Sequence, residues 1–335
     1  MRLYTLVLSI LLFSCKDALD TVTSDPYTEI QKVLSINPSA LENYAAQGKP
    51  AYVNKDNTGP NAITDKAATL GRVLFYDKNL STNNTIACAS CHKQEFAFGD
   101  TAVSSLGVEN GRTERHSMRL INTRYANEAK FFWNERAASL EAQTTMPIVD
   151  HLEMGFSGQT GRGNITSLIT KLNGIGYYKE LFTLAYGDAT ITEARMQTAL
   201  AQFIRSIQSF DSKYDIGRAQ VGNDGAPFPN FTAQENAGKN LFLAPPIFNA
   251  ASERIGGGFG CQGCHQAPEF DIDPNSRNNG FIGVIGSAQN DLNNTRSPSL
   301  RDILNAAGVA NTPFMHTAAS ATIRQVLNHY NTIAA

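Results

Sequence analysis

Two pentapeptides, Cys88-Ala89-Ser90-Cys91-His92 and Cys261-Gln262-Gly263-Cys264-His265, hold four of the chain's five cysteines. CxxCH is the attachment motif of c-type haem. Two thiols at this spacing add to the vinyl groups on one edge of a porphyrin. The adjacent imidazole then swings beneath the ring to bind the iron. Competing chemistries fit less well. A thioredoxin-like CxxC wants a strand–helix setting, and neither motif has one. A four-cysteine zinc site would have to join motifs 173 residues apart, far beyond usual zinc spacings. Two covalent haems are therefore expected, with His92 and His265 as proximal ligands.

The remaining cysteine belongs to a different signal. Met1-Arg2 precedes a largely apolar run from Leu3 to Phe13, too short to span a bilayer and suited to a signal peptide. Its end, Leu12-Phe13-Ser14-Cys15, resembles a lipoprotein cleavage box. Residues 1–14 are expected as the leader, with Cys15 acylated; the alternative is cleavage elsewhere with Cys15 discarded. Either way the chain is exported, to the periplasmic side or cell envelope, where c-type haem is assembled. Attachment to a membrane would be by the lipid alone. Over 335 residues, 28 Lys+Arg against 30 Asp+Glu give a formal net charge of −2. That balance, without a basic run, argues against nucleic acid as a partner. A hydrophobic fraction of 42% excludes wholesale disorder.

The elements that must position the motifs read as helices. Thr64 to Phe75 and Thr232 to Phe242 repeat weakly, each as a capped helix leading through a loop to a haem motif. Thr232 with Glu235 makes a capping box. A helix over Thr192 to Phe210 presents Met196, Leu200, Phe203, Ile204 and Ile207 on one stripe. A last helix, capped by Ser320, has Ile323, Val326, Leu327 and Tyr330 on its apolar face. Loops are expected at Gly158–Gly163 and Asp224–Pro229, and no strand run stands out. The fold class is mainly α, with two cytochrome-c-like haem domains in tandem. Residues 15–55 form an N-terminal linker, 56–215 the N-terminal, peroxidatic domain and 216–335 the C-terminal, electron-transfer domain.

Between the motifs, Phe131-Phe132-Trp133-Asn134-Glu135-Arg136-Ala137 is followed by Ser139-Leu140-Glu141-Ala142-Gln143, Met146-Pro147-Ile148 and Leu152-Glu153-Met154-Gly155. With Ser297-Pro298-Ser299-Leu300-Arg301 and Pro313-Phe314-Met315-His316, this order resembles the bacterial dihaem cytochrome c peroxidase/MauG family over about residues 60–330. By themselves Trp133 reads as core, and Gln143 and Glu153 as helix surface. The resemblance implies instead that Gln143 and Glu153 form the distal pocket with Pro147 between them, and that Trp133 lies between the haems. A carboxylate beside an open iron can move a proton between the peroxide oxygens. An amide can orient the peroxide, and an indole can relay an electron.

The resemblance also locates departures. Where peroxidase members carry a histidine that caps the first iron, eight residues before His116, this chain has Val108. An open first site is expected, His116 being an interface residue or, alternatively, a ligand that swings in. The same place in the family often holds an Asn that helps bind an interdomain calcium, near the carbonyls of Arg296 and Pro298. With His116 there the hard cation loses an oxygen ligand, which puts calcium in doubt. For the sixth ligand of the second iron there are two candidates. Tyr330 falls where the family carries Met or Tyr, and Met315 is the only methionine after the second motif. Thioether ligation raises the potential and phenolate ligation favours ferric iron; Tyr330 is preferred. His316 is expected to support the propionates or the loop. Family members continue with a further helix, whereas five residues follow Tyr330 here, so either looser packing around the second haem or an incomplete sequence is expected.

The leading function is a peroxidase that reduces hydrogen peroxide to water with electrons from a small cytochrome c or cupredoxin. The runner-up is a MauG-like oxidase of a protein side chain, and the third is a non-enzymatic dihaem electron carrier. The resemblance also admits a homodimer.

Overall fold

The computed structural model describes residues 26–127, 130–272 and 274–332. The leader and Cys15 lie outside them. Ten helices dominate the described residues: α1 Thr28–Leu34, α2 Asp65–Tyr76, α3 Cys88–Cys91, α4 Leu140–Val149, α5 Ile165–Asn173, α6 Gly176–Tyr186, α7 Glu193–Ser206, α8 Lys213–Arg218, α9 Ala233–Leu243 and α10 Ile323–Thr332. None is long and apolar enough to cross a membrane.

The first unit is built on the crossing of α2 and α7. Thr64 and Thr192 cap the two helices by accepting from Ala67 N–H and Arg195 N–H, which fixes their starts. The α7 stripe Met196, Leu200, Phe203 and Ile204 is buried against Leu70, Leu74 and Phe75 of α2 within one apolar cluster. Gly71 allows the close approach, since a Cβ there would overlap the Ala199 carbonyl. α4 lies alongside α7, and its Glu141 pairs with the buried Arg205. The contiguous apolar core runs from Ile30 to Ile207 and takes nothing from the C-terminal unit.

Residues 26–55 are more than a linker. Glu180 accepts from the main-chain N–H groups of Glu29 and Ile30 at 3.0 and 2.9 Å, satisfying free donors at the start of α1 and seating Ile30 in the core. The segment then clasps the second unit through Lys55 and Asp271 at 2.5 Å. The expected boundary at residue 215 falls inside α8. There Asp215 is buried and accepts from Tyr52 at 2.7 Å and Arg301 at 2.6 Å.

Three short antiparallel hairpins occur where no strand was expected: Pro246–Phe248 (β1) with Arg254–Gly257 (β2), His265–Gln266 (β3) with Asp271–Ile272 (β4), and Gly283–Val284 (β5) with Ser287–Asn290 (β6). They are two to four residues long, too short to carry an alternating pattern. Among the described residues of the C-terminal unit only Phe228 and Phe314 are buried apolar side chains. In α9 the glycine equivalent to Gly71, Gly238, meets nothing within 4 Å.

The duplication extends well beyond the helices before the motifs. Ser117 Oγ donates to the Cys91 carbonyl at 2.6 Å, and Ser297 Oγ to the Cys264 carbonyl at 3.2 Å. Left-handed backbone recurs at matched places: Ala97 (φ 56°) and Phe270 (φ 54°), Asn122 (φ 57°) and Asp302 (φ 52°), Phe132 (φ 69°) and Met315 (φ 71°), Glu135 (φ 55°) and Ala318 (φ 57°). Isolated bridges pair Phe131 with Ala137 and Phe314 with Ser320. Eight residues after Phe131 and Phe314 stand Ser139 and Thr322, each followed by a ten-residue helix. Thr322 with Gln325, rather than Ser320, forms the cap of α10, because Ser320 is engaged in the bridge.

Candidate active site

The first motif opens α3, which places Cys88 and Cys91 on the wall of one cavity with His92. His92 Nδ1 lies 3.0 Å from the Phe98 carbonyl. A carbonyl only accepts, so Nδ1 carries the proton and Nε2 keeps its lone pair, the tautomer that binds a metal. Burial lowers the His92 pKa, which favours the neutral ring. The cavity encloses about 350 Å³. Two thiols, a neutral imidazole and a largely apolar hollow fit a covalently held haem.

Gln143, Pro147, Glu153 and Trp133 line that same cavity. Gln143 and Pro147 lie one turn apart on α4, on the same face. Glu153 follows a turn in which Asp150 accepts from the main-chain N–H groups of Leu152 and Glu153, at 2.8 and 3.0 Å. The loop carrying Val108 braces it from the other side, with Val108 N–H donating to the Glu153 carbonyl at 2.9 Å. A Cβ at Gly107 would overlap the Leu152 carbonyl, so a glycine is required for that contact. Val108 itself is buried at 1% exposure. The Glu153 carboxyl is pushed up to about 7, first by burial and then by the Asp150 charge, against the opposing pull of Arg136. Arg136 stacks on the Phe132 ring, 3.5 Å from its centroid.

Trp133 sits where the two units meet. Its Nε1–H donates to the His116 carbonyl at 2.8 Å, and its ring packs edge-on against His316, 6.1 Å between centroids. Two crossed main-chain bonds close the contact. His116 N–H donates to the His316 carbonyl at 2.7 Å, and Arg296 N–H to the Trp133 carbonyl at 3.1 Å. His116 and Arg296 precede the two matched serines, while Trp133 and His316 hold matched places in the repeated loop. The interface is thus quasi-symmetric. His116 is packed in it, its Nδ1 held 2.9 Å from the Ala102 carbonyl and its Nε2 buried without a hydrogen bond.

In the second unit Cys261–Gly263 forms a single tight turn leading to His265. Burial lowers the His265 pKa to about 4, leaving it neutral. Tyr330 and Met315 converge nearby: Asn279 Nδ2 lies 3.1 Å from Tyr330 Oη and 3.4 Å from Met315 Sδ. Burial raises the Tyr330 pKa, and the hydrogen bond from Asn279 opposes the rise. An apolar porphyrin suits a unit whose own side chains build so little core. Both sixth-ligand candidates meet at the one Asn279 amide.

Sequence reasoning missed three of these residues, Arg136, Phe132 and Asn279, and the pairing of positions behind them. The equal spacing from Phe131 to Pro147 and from Phe314 to Tyr330, sixteen residues each, was the available signal.

A family model described as di-haem cytochrome c peroxidase matches residues 65–221. The methylamine utilization protein MauG of Methylophilus methylotrophus is 29% identical over 281 residues, 82% of this chain and 75% of that protein. Cytochrome c551 peroxidase of Nitrosomonas europaea is 27% identical over 293 residues, 84% of this chain and 77% of that one. Among solved structures, a MauG-like protein associated with microbial copper homeostasis superposes with a TM-score of 0.61 at 23% identity, covering 84% of this chain and 80% of that one. The diheme peroxidase BthA of Burkholderia thailandensis gives 0.56 at 19% identity, covering 89% and 74%. These two likenesses establish the shared fold. Sequence relatives bearing both names and a family model spanning the first motif support the dihaem cytochrome c peroxidase/MauG family as the one this chain resembles.

Proposed function

We propose that the protein is an exported dihaem c-type peroxidase that reduces hydrogen peroxide, H2O2 + 2e− + 2H+ → 2H2O, with electrons from a small cytochrome c or cupredoxin. The observation that carries this reading is the contrast between matched positions of the two units. Phe132 and Pro147 stand in the first where Met315 and Tyr330 stand in the second, and neither Phe nor Pro offers an atom that binds iron. Cys88, Cys91 and His92 would hold the first haem, which would supply the iron centre for peroxide chemistry. Glu153 accepts the proton from the inner peroxide oxygen and returns it to the outer one, so that water leaves. Gln143 would donate a hydrogen bond that orients the peroxide. Cys261, Cys264 and His265 would hold the second haem, with Tyr330 as the preferred sixth ligand, and Trp133, between the two units, would offer the route for electrons. A lipid on Cys15 would keep the protein at the envelope surface.

A second reading, MauG-like oxidation of a protein side chain, is favoured by Val108, which leaves no histidine to cap the first iron, and by Tyr330. Steady-state peroxide consumption with reduced small cytochrome c as donor tests the choice. Turnover that oxidises two cytochromes per peroxide supports the peroxidase. Rapid reaction with peroxide but negligible cytochrome oxidation would shift the assignment to the second reading.

A further inference from the structure

The convergence of Tyr330 and Met315 on one amide has a direction built into it. Asn279 Oδ1 accepts from Phe281 N–H at 3.2 Å, which identifies the other end of the amide as the NH2 group. That group, a pure donor, faces Tyr330 Oη at 3.1 Å and Met315 Sδ at 3.4 Å. Asn279 is itself anchored, its carbonyl 2.8 Å from His329 Nε2. The His329 ring in turn stacks on Phe281, 4.0 Å between centroids. The amide is thus held from both its main chain and its side chain, with its N–H groups aimed at two different ligand atoms.

We propose that Asn279 is the positioning residue that selects the sixth ligand of the second haem, its amide holding the Tyr330 oxygen toward the iron and keeping Met315 alongside as the reserve ligand. The inference rests on the dihaem reading above. An iron-bound phenolate keeps a lone pair for one donated hydrogen bond, and a bond to a charged oxygen is roughly twice as strong as one between neutral partners. A thioether sulfur is a weak acceptor and gains little from the same donor. One amide offering N–H to both atoms therefore weights the choice toward Tyr330. In the first unit the matched atoms do not exist, so no counterpart of Asn279 is needed there.

The test uses the holoprotein with two haems, counted per chain, and reads the second haem directly by ferric electron paramagnetic resonance, magnetic circular dichroism and potentiometry. Asn279→Leu is expected to replace phenolate-type by thioether-type ligation. It should also raise the potential by about 59 mV or more, a tenfold change in the one-electron equilibrium. Asn279→Asp, isosteric and still able to accept from Phe281, turns the donor into an anion facing the phenolate and is expected to shift the ligand in the same direction. Tyr330→Phe should give thioether ligation, and the Tyr330→Phe/Met315→Leu pair a high-spin second haem. Wild-type ligand signature and potential in both Asn279 variants would overturn the proposal, as would an unchanged signature in Tyr330→Phe. A wild-type chain that carries fewer than two haems would instead refute the dihaem reading on which it rests.

Discussion

Pro147 and Tyr330 are the eighth residues of two ten-residue helices that follow the same loop in the two halves of the chain. One lines the cavity with Cys88, Cys91 and His92; the other carries a hydroxyl 3.1 Å from Asn279 Nδ2 in the second unit. A duplicated scaffold thus presents a ring without a ligand atom to one haem motif and a phenol to the other. On the proposed function, that single difference, reinforced by Phe132 and Met315 at the second matched place, would leave one iron open and cap the other.

Glu153→Gln keeps the size and hydrogen-bonding reach of the side chain but removes its base. It should lower the rate of peroxide cleavage by about 10²–10⁴-fold, the usual worth of a positioned acid–base group, with both haems still attached. Stopped-flow mixing with peroxide checks this, and an unchanged rate would remove Glu153 from the chemistry.

The acid limb of the same reaction should report Glu153. Its pKa is raised to about 7 by burial and by Asp150, so the carboxylate that accepts the proton is lost as pH falls through that value. The rate of reaction with peroxide is therefore expected to fall below about pH 7. Arg136 opposes the rise, so Arg136→Leu should move the midpoint upward. A midpoint that stays put or moves to lower pH would contradict this assignment.

Trp133→Phe removes the indole N–H that binds the His116 carbonyl at 2.8 Å while keeping an aromatic ring against His316. Donor-driven turnover should drop by about tenfold or more, since 1.4 kcal/mol in a barrier is tenfold in rate. The single-turnover reaction of the first haem with peroxide should stay near its wild-type rate. Equal loss in both assays would make Trp133 a packing residue of the cavity rather than part of the electron route.

Two equivalent glycines should respond oppositely. Gly71→Ala forces a methyl group into the Ala199 carbonyl and should cost about 1–3 kcal/mol, as overpacking does. Gly238→Ala meets nothing within 4 Å and should be neutral or stabilise by about 0.4–1 kcal/mol through the unfolded state. Urea midpoints of the two variants check the contrast, and similar shifts would contradict the packing described.

Much of the attachment chemistry was legible because it is local. CxxCH needs only five consecutive residues, and the capping box of Thr232 and Glu235 forms as the spacing implies, with Thr232 N–H donating to Glu235 at 2.7 Å. Gln143 and Glu153 were singled out only through resemblance, since a helix position and a turn position carry no local mark of the cavity they line. The repeated loop was hidden for a different reason. Its left-handed positions carry Phe132, Glu135, Met315 and Ala318 rather than glycine, so no residue type announces the turn. The clasp of residues 26–55 was missed because it rests on long-range polar contacts, such as Tyr52 with Asp215, that no local pattern encodes.

The most direct test of one open and one capped iron is the ferric electron paramagnetic resonance spectrum of the purified holoprotein, recorded before and after one equivalent of hydrogen peroxide. One high-spin and one low-spin haem are expected at rest, with the high-spin signal consumed by the peroxide. Two low-spin haems that leave the peroxide untouched would contradict the catalytic assignment.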